Sequence, residues 1–96
     1  MGVCVLDGKE IKDREQLHNV LADSLGFPEW YGRNLDALYD CLTELHEDTE
    51  IRLLHEDEMR EHLGEYAGFL AEVLRVTAEE NPRIRYVEED VEQGLW

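Results

Sequence analysis

Three short apolar runs, separated by long stretches of helical pattern, constrain how this 96-residue chain can fold. They lie at residues 3–6, 50–54 and 84–87. The first run stops at Asp7-Gly8 and indicates a buried strand that ends in a turn. Strands joined by helical crossovers pair in parallel, and such connections are right-handed. The sequence therefore predicts an α/β fold: a three-stranded parallel sheet covered by about four helices, in the order β-α-α-β-α-α-β.

Capping residues and apolar periodicity indicate where the helices begin and end. Asp13 and Gln16 have the spacing of a capping box, and Gly26 ends the helix that they start. Asn34 can cap a second helix in the same way. The predicted helices cover about 14–25, 35–45, 56–63 and 66–80.

The second predicted helix has an unusual solvent side. Projected at ~100° per residue, its inward side carries Leu35, Leu38, Cys41, Leu42 and Leu45. Its outward side carries Asp36, Tyr39, Asp40, Thr43 and Glu44. Three of these outward residues are acidic and follow one another at i, i+4, a spacing at which like charges destabilise a helix by about 0.2–0.5 kcal/mol per pair. We expect a binding partner to offset this cost.

The charge balance restricts the partners of the chain. Lys and Arg number 9 against 24 Asp and Glu, which gives a formal net charge of −15. Such a charge repels nucleic acid and anionic membranes and favours a basic protein as partner. Because no leader pattern and no apolar segment of about 18 residues occurs, we expect a cytoplasmic protein.

Length and composition predict one domain over 1–90, followed by a polar tail over 91–96. We expect this tail to be partly disordered, although Leu95 and Trp96 could dock back onto the domain. Cys4 and Cys41 fit no metal or disulfide framework, so free, buried thiols are favoured, while a Cys4–Cys41 bridge stays open.

An enzyme would have to rely on the histidines and carboxylates. Glu58 and His62 lie at i, i+4 on the third predicted helix, a spacing that can chelate a metal. No second pair of ligands supports such a site, and no nucleophile motif is present. We therefore expect no catalysis, no cofactor and no metal.

Residues 27–43, with the turn that precedes the second helix, resemble the barstar family of ribonuclease inhibitors. The family pattern is an aromatic pair, Gly, Asn-Leu-Asp-Ala-Leu, an aromatic residue and Asp-Cys-Leu-Thr, and this segment reads Trp30-Tyr31-Gly-Arg-Asn-Leu-Asp-Ala-Leu-Tyr-Asp-Cys-Leu-Thr43. Beyond about residue 50, the likeness is one of element order rather than of identity.

The resemblance implies a cytosolic inhibitor that is monomeric when free and binds a basic, extracellular-type microbial ribonuclease one-to-one. Asp40 matches the family's central aspartate, which takes the place of a substrate phosphate in the nuclease. Trp30, Asn34, Asp36, Tyr39 and Thr43 match other contact positions. Glu44 adds a charge where the family commonly has glycine, and Val76 and Thr77 stand where an acidic contact is familiar.

Other interpretations remain open for the same residues. Asp36 and Asp40 could be ordinary solvated carboxylates, Tyr39 could pack over a neighbouring loop, and Trp30 could be half buried in the core. A second function also fits: a non-inhibitory acidic module that recognises another basic protein.

Overall fold

The element order is the predicted one. The computed structural model describes residues 2–89, so the expectation for the tail, including Leu95 and Trp96, lies outside the described residues. No helix within residues 2–89 is long and apolar enough to cross a membrane. The elements are β1 (Gly2–Asp7), α1 (Arg14–Leu25), α2 (Leu35–Thr43), β2 (Thr49–Leu54), α3 (Glu56–Leu63), α4 (Glu65–Glu80) and β3 (Ile84–Glu89).

The sheet has the strand order β1-β2-β3, and both pairs are parallel. Cys4 pairs with Ile51, which pairs with Tyr86 on the other side. All four helices contribute to a single core on one face of the sheet. Its fully buried members include Leu6, Leu21, Leu38, Ile51, Met59, Leu70 and Leu74.

The prediction that the first strand is buried holds for only one of its faces. Cys4 and Leu6 are inaccessible, but Val3 and Val5 are 53% and 44% exposed. The strands follow one another across the sheet in chain order, so two crossovers of the same hand place the helices on the same face. Within residues 2–89, no helix covers the opposite face.

Charged side chains occupy much of this helix-free face. Arg52 lies 2.5 Å from Glu50 and 3.6 Å from Glu89, and Arg85 lies 3.8 Å from Glu50. The arginines of these pairs are exposed and Glu50 is partly buried, and surface pairs of this kind each contribute little to stability. They nevertheless make this face polar. It is a different surface from the one that α2 forms.

Candidate protein-binding surface

Helix α2 is held by a side chain at each end. At its start, Asn34 accepts a hydrogen bond from the Ala37 amide at 2.7 Å, which confirms the predicted cap. At its end, the Asn81 amide donates to the carbonyl oxygens of Leu42 at 2.9 Å and Leu45 at 3.2 Å. Because Asn81 follows α4, these bonds join the C-terminal ends of α2 and α4.

Helix α2 is shorter than predicted, and its end lies where the Asn81 side chain meets it. The sequence pattern continues to residue 45, but the helix ends at Thr43 and Glu44 is its C-cap. The last turn closes with i, i+3 bonds from the Glu44 amide to the Cys41 carbonyl and from the Leu45 amide to the Leu42 carbonyl, and the Asn81 side chain adds a donor to Leu42 and Leu45. Leu45 therefore packs against the core from beyond the helix.

The two sides of α2 are separated as the periodicity predicts. Leu38 and Leu42 are fully buried, while Asp36, Asp40 and Glu44 are exposed. Tyr39 and Thr43 are partly exposed. We use the term α2 surface for the seven predicted contact residues: Trp30, Asn34, Asp36, Tyr39, Asp40, Thr43 and Glu44. Six belong to α2 or its caps, and Trp30 lies in the preceding loop.

The carboxylates of this surface are exposed to solvent. Within residues 2–89, no group donates a hydrogen bond to the side chains of Asp36, Asp40 or Glu44. Thr43 differs, because its hydroxyl donates to the Asp40 carbonyl at 3.0 Å. The acidic side chains are therefore available to cationic donors, and a carboxylate can accept two parallel bonds from one guanidinium.

The loop before α2 buries one aromatic ring and exposes its neighbour. Tyr31 is 4% exposed, packs 4.8 Å from the Phe27 ring centroid, and has its hydroxyl 2.6 Å from His18 Nδ1. Trp30 is 82% exposed. This exposure removes the possibility that Trp30 is half core, and leaves a large apolar side chain beside the acidic helix.

A buried histidine fixes that loop to two helices. His18 on α1 is inaccessible, and its Nε2 lies 2.7 Å from the Tyr66 hydroxyl of α4. Burial lowers the pKa of His18, and the charge of Arg33 lowers it further. The ring is therefore neutral, with one nitrogen donating and the other accepting. Sequence analysis missed this network, since Tyr66 is 48 residues away.

Tyr39 contacts α4 rather than a neighbouring loop. Its hydroxyl donates to the carboxylate of Glu80, the last residue of α4. This hydrogen bond is the main reason that the pKa of Tyr39 is raised, and burial adds to it. Glu80 therefore extends the acidic surface onto α4, a contribution that the sequence did not indicate.

The two positions on α4 where the family pattern has an acidic contact behave differently from Glu80. Thr77 is fully buried, and its hydroxyl donates to the carbonyl oxygens of Val73 and Leu74 at 2.8 and 3.1 Å. Val76 is partly buried. Thr77 therefore belongs to the core, and the exposed carboxylates of this helix end are those of Glu79 and Glu80.

Both cysteines are free, as favoured from the sequence, but only Cys4 is buried and Cys41 is partly exposed. Burial raises the pKa of the Cys4 thiol to about 11. Burial and the nearby charges of Glu44 and Asp40 also raise the pKa of Cys41. Both side chains are therefore protonated thiols at neutral pH and poor nucleophiles.

His62, which the sequence pairs with Glu58 as possible metal ligands, forms a hydrogen bond inside the fold. His62 Nδ1 donates to the Ile11 carbonyl at 2.9 Å and so fixes α3 to the loop after β1. In the part of the chain from 2 to 89, no three His, Cys, Asp or Glu side chains are placed to hold a metal ion.

Comparison with known proteins gives the family. The chain is 42% identical over 77 residues to a Bacillus subtilis (strain 168) protein named "Putative ribonuclease inhibitor YrdF", and the match covers 79% of this chain and 85% of that relative. The family model described as "Barstar (barnase inhibitor)" matches residues 1–92. With its three-stranded parallel sheet and four helices, this chain belongs to the barstar family.

Proposed function

We propose that this protein is an intracellular inhibitor of a basic microbial ribonuclease, which it binds one-to-one through the α2 surface. The family and the name of its relative support the functional class. One observation carries the proposed mechanism: a helix capped at both ends presents Asp36 and Asp40 to solvent, and Trp30 in the loop that leads into this helix is also exposed.

Asp40 is the proposed substitute for a substrate phosphate. A ribonuclease that works without a metal surrounds the scissile phosphate with Arg, Lys or protonated His, because negative charge develops there. A carboxylate can accept charge-assisted hydrogen bonds from those same groups. Asp40 lies in the middle of a helix that is already ordered, so docking it costs little backbone entropy.

Trp30 and Tyr39 provide the apolar part of the proposed contact. Aromatic side chains at the centre of an interface bury area and exclude water from adjacent ion pairs. The hydrogen bond to Glu80 holds the Tyr39 ring in place before binding. The net charge of −15 adds long-range attraction to a cationic cleft.

Inhibition assays test this proposal directly. Purified protein is titrated into RNA-cleavage reactions of several basic, metal-independent microbial ribonucleases. We expect activity of at least one enzyme to disappear at one molar equivalent, with no RNA cleavage by the protein alone. Asp40→Ala serves as the matched variant and should shift the titration to higher concentration.

A pull-down from lysate of the source organism complements the panel. If no enzyme of the panel is inhibited and no nuclease is captured, ribonuclease inhibition is wrong for this chain. Capture of a different basic protein would instead favour the non-inhibitory acidic binding module.

A further inference from the structure

Arg33 stands out on the acidic side of the molecule. It is the only Lys or Arg between Arg14 and Arg52, a segment that includes the whole α2 surface. It is exposed and directly precedes Asn34, the N-cap of α2. A cation therefore borders a surface whose other charges, including Asp36 and Asp40, are negative.

Two local features make Arg33 unfavourable for the free protein. Its φ of 53° is in the left-handed region, where a side chain clashes with its own backbone and glycine or asparagine is preferred. Its charge also adjoins the N-terminal, positive end of α2, where an acidic residue would be stabilising. Residues whose backbone conformation or charge is unfavourable for the local structure concentrate at functional sites.

The contacts of Arg33 inside the chain are slight. Its Nε donates to the Asn19 side chain on α1 at 3.0 Å, and both residues are exposed. Within residues 2–89, it forms no salt bridge with a carboxylate. The Asn19 contact uses only the Nε of the guanidinium. The two terminal nitrogens can therefore donate to both oxygens of a carboxylate.

We propose that Arg33 binds a carboxylate on the partner and thereby determines which ribonuclease is recognised. This inference rests on the proposed function. The partner would then present cations opposite Asp36 and Asp40, and an acidic side chain at the edge of the cleft, opposite Arg33. Basic nucleases that lack this acidic group would be bound less tightly.

The direction in which affinity changes after charge reversal at Arg33 distinguishes this proposal from a general electrostatic effect. If the partner is basic everywhere it meets this protein, Arg33→Glu should strengthen binding, because it adds negative charge. If a carboxylate faces Arg33, the same change creates repulsion and weakens binding. The two expectations have opposite signs.

The test measures the dissociation constant for the ribonuclease that the unmodified protein inhibits in the panel. Arg33→Glu and Arg33→Lys both keep a side chain at the same positive φ, so they differ in charge and not in backbone strain. Arg85→Glu on the helix-free face is the matched control for net charge. Melting temperatures of the three variants check that each is folded.

We expect Arg33→Glu to weaken binding by about 10-fold or more, Arg33→Lys to bind close to the unmodified protein, and Arg85→Glu to bind equally or more tightly. Binding by Arg33→Glu that is as tight as that of Arg85→Glu would overturn the role of Arg33 and leave inhibition intact. If the unmodified protein inhibits no ribonuclease, the proposed function and this inference both fail.

Discussion

Replacing Asp40 by alanine should make the free protein more stable. Asp40 is exposed and accepts no side-chain hydrogen bond within residues 2–89, so its removal breaks no contact. Alanine has the higher helix propensity, by about 0.5 kcal/mol, and the change removes the i, i+4 repulsion from Asp36, about 0.3 kcal/mol. The melting temperature should therefore rise by about 3–6 °C.

The same change should weaken inhibition strongly. Truncating one member of a desolvated, hydrogen-bonded charge pair costs about 2–5 kcal/mol of binding free energy. This range corresponds to a dissociation constant that rises by about 30-fold to several thousand-fold. Stability and binding thus change in opposite directions.

Urea unfolding and an inhibition constant, measured on the same preparation, provide the assay. Glu44→Ala is the control, because Glu44 is also an exposed acidic residue of α2 but lies at its C-cap. Because Glu44 also belongs to the α2 surface but lies at its edge, we expect Glu44→Ala to weaken inhibition by less than Asp40→Ala does. If Asp40→Ala instead unfolds the domain, while its folded fraction binds as before, Asp40 is structural and the inhibitory surface lies elsewhere.

Three further measurements probe charge, pH and capping. Association measured by stopped flow should slow markedly between 0.05 and 0.5 M salt, because the Debye length falls below ~10 Å, and a flat response would contradict steering. Because the pKa of His18 is lowered in the folded protein, the unfolded chain binds the proton more readily. The unfolding free energy should therefore fall as pH drops below about 6.5, by at most ~1.4 kcal/mol per pH unit, and His18→Gln should reduce this slope in urea titrations at pH 7.5 and 5.5. Asn81→Ala leaves the Leu45 carbonyl without its side-chain donor and removes one of the donors to the Leu42 carbonyl; it should cost about 1–2 kcal/mol in urea unfolding, whereas an unchanged midpoint would show that water replaces the amide.

Features that depend on neighbours along the chain could be predicted from the sequence. The caps Asp13 and Asn34 bond to amides three residues away, at 2.8 and 2.7 Å, so their spacing alone reveals them. The inward and outward sides of α2 follow from helical periodicity in the same way. Periodicity placed the acidic residues on the outward side of α2, whereas Trp30 and the role of Asp40 in the proposed surface came from the resemblance to the barstar family.

Features that depend on packing could not be predicted in this way. The Tyr39–Glu80 bond spans 41 residues, and the Asn81 contacts exist because α2 and α4 end at the same place. An apolar run such as 3–6 does not reveal whether one or both faces of its strand are covered. The sequence also did not indicate the positive φ of Arg33, although it shows that no other Lys or Arg lies between Arg14 and Arg52.

The division of α2 into a buried and an exposed side has an evolutionary consequence. Exposed carboxylates such as Asp36 and Asp40 can be exchanged without repacking Leu38 or Leu42, so the residues of the proposed binding surface can change while the fold is conserved. Tyr39 is the exception, because its hydroxyl bonds to α4 and its replacement leaves that acceptor without a donor. Variation at Tyr39 should therefore be correlated with variation at the end of α4, whereas variation at Asp36 and Asp40 needs no compensating change elsewhere in the fold.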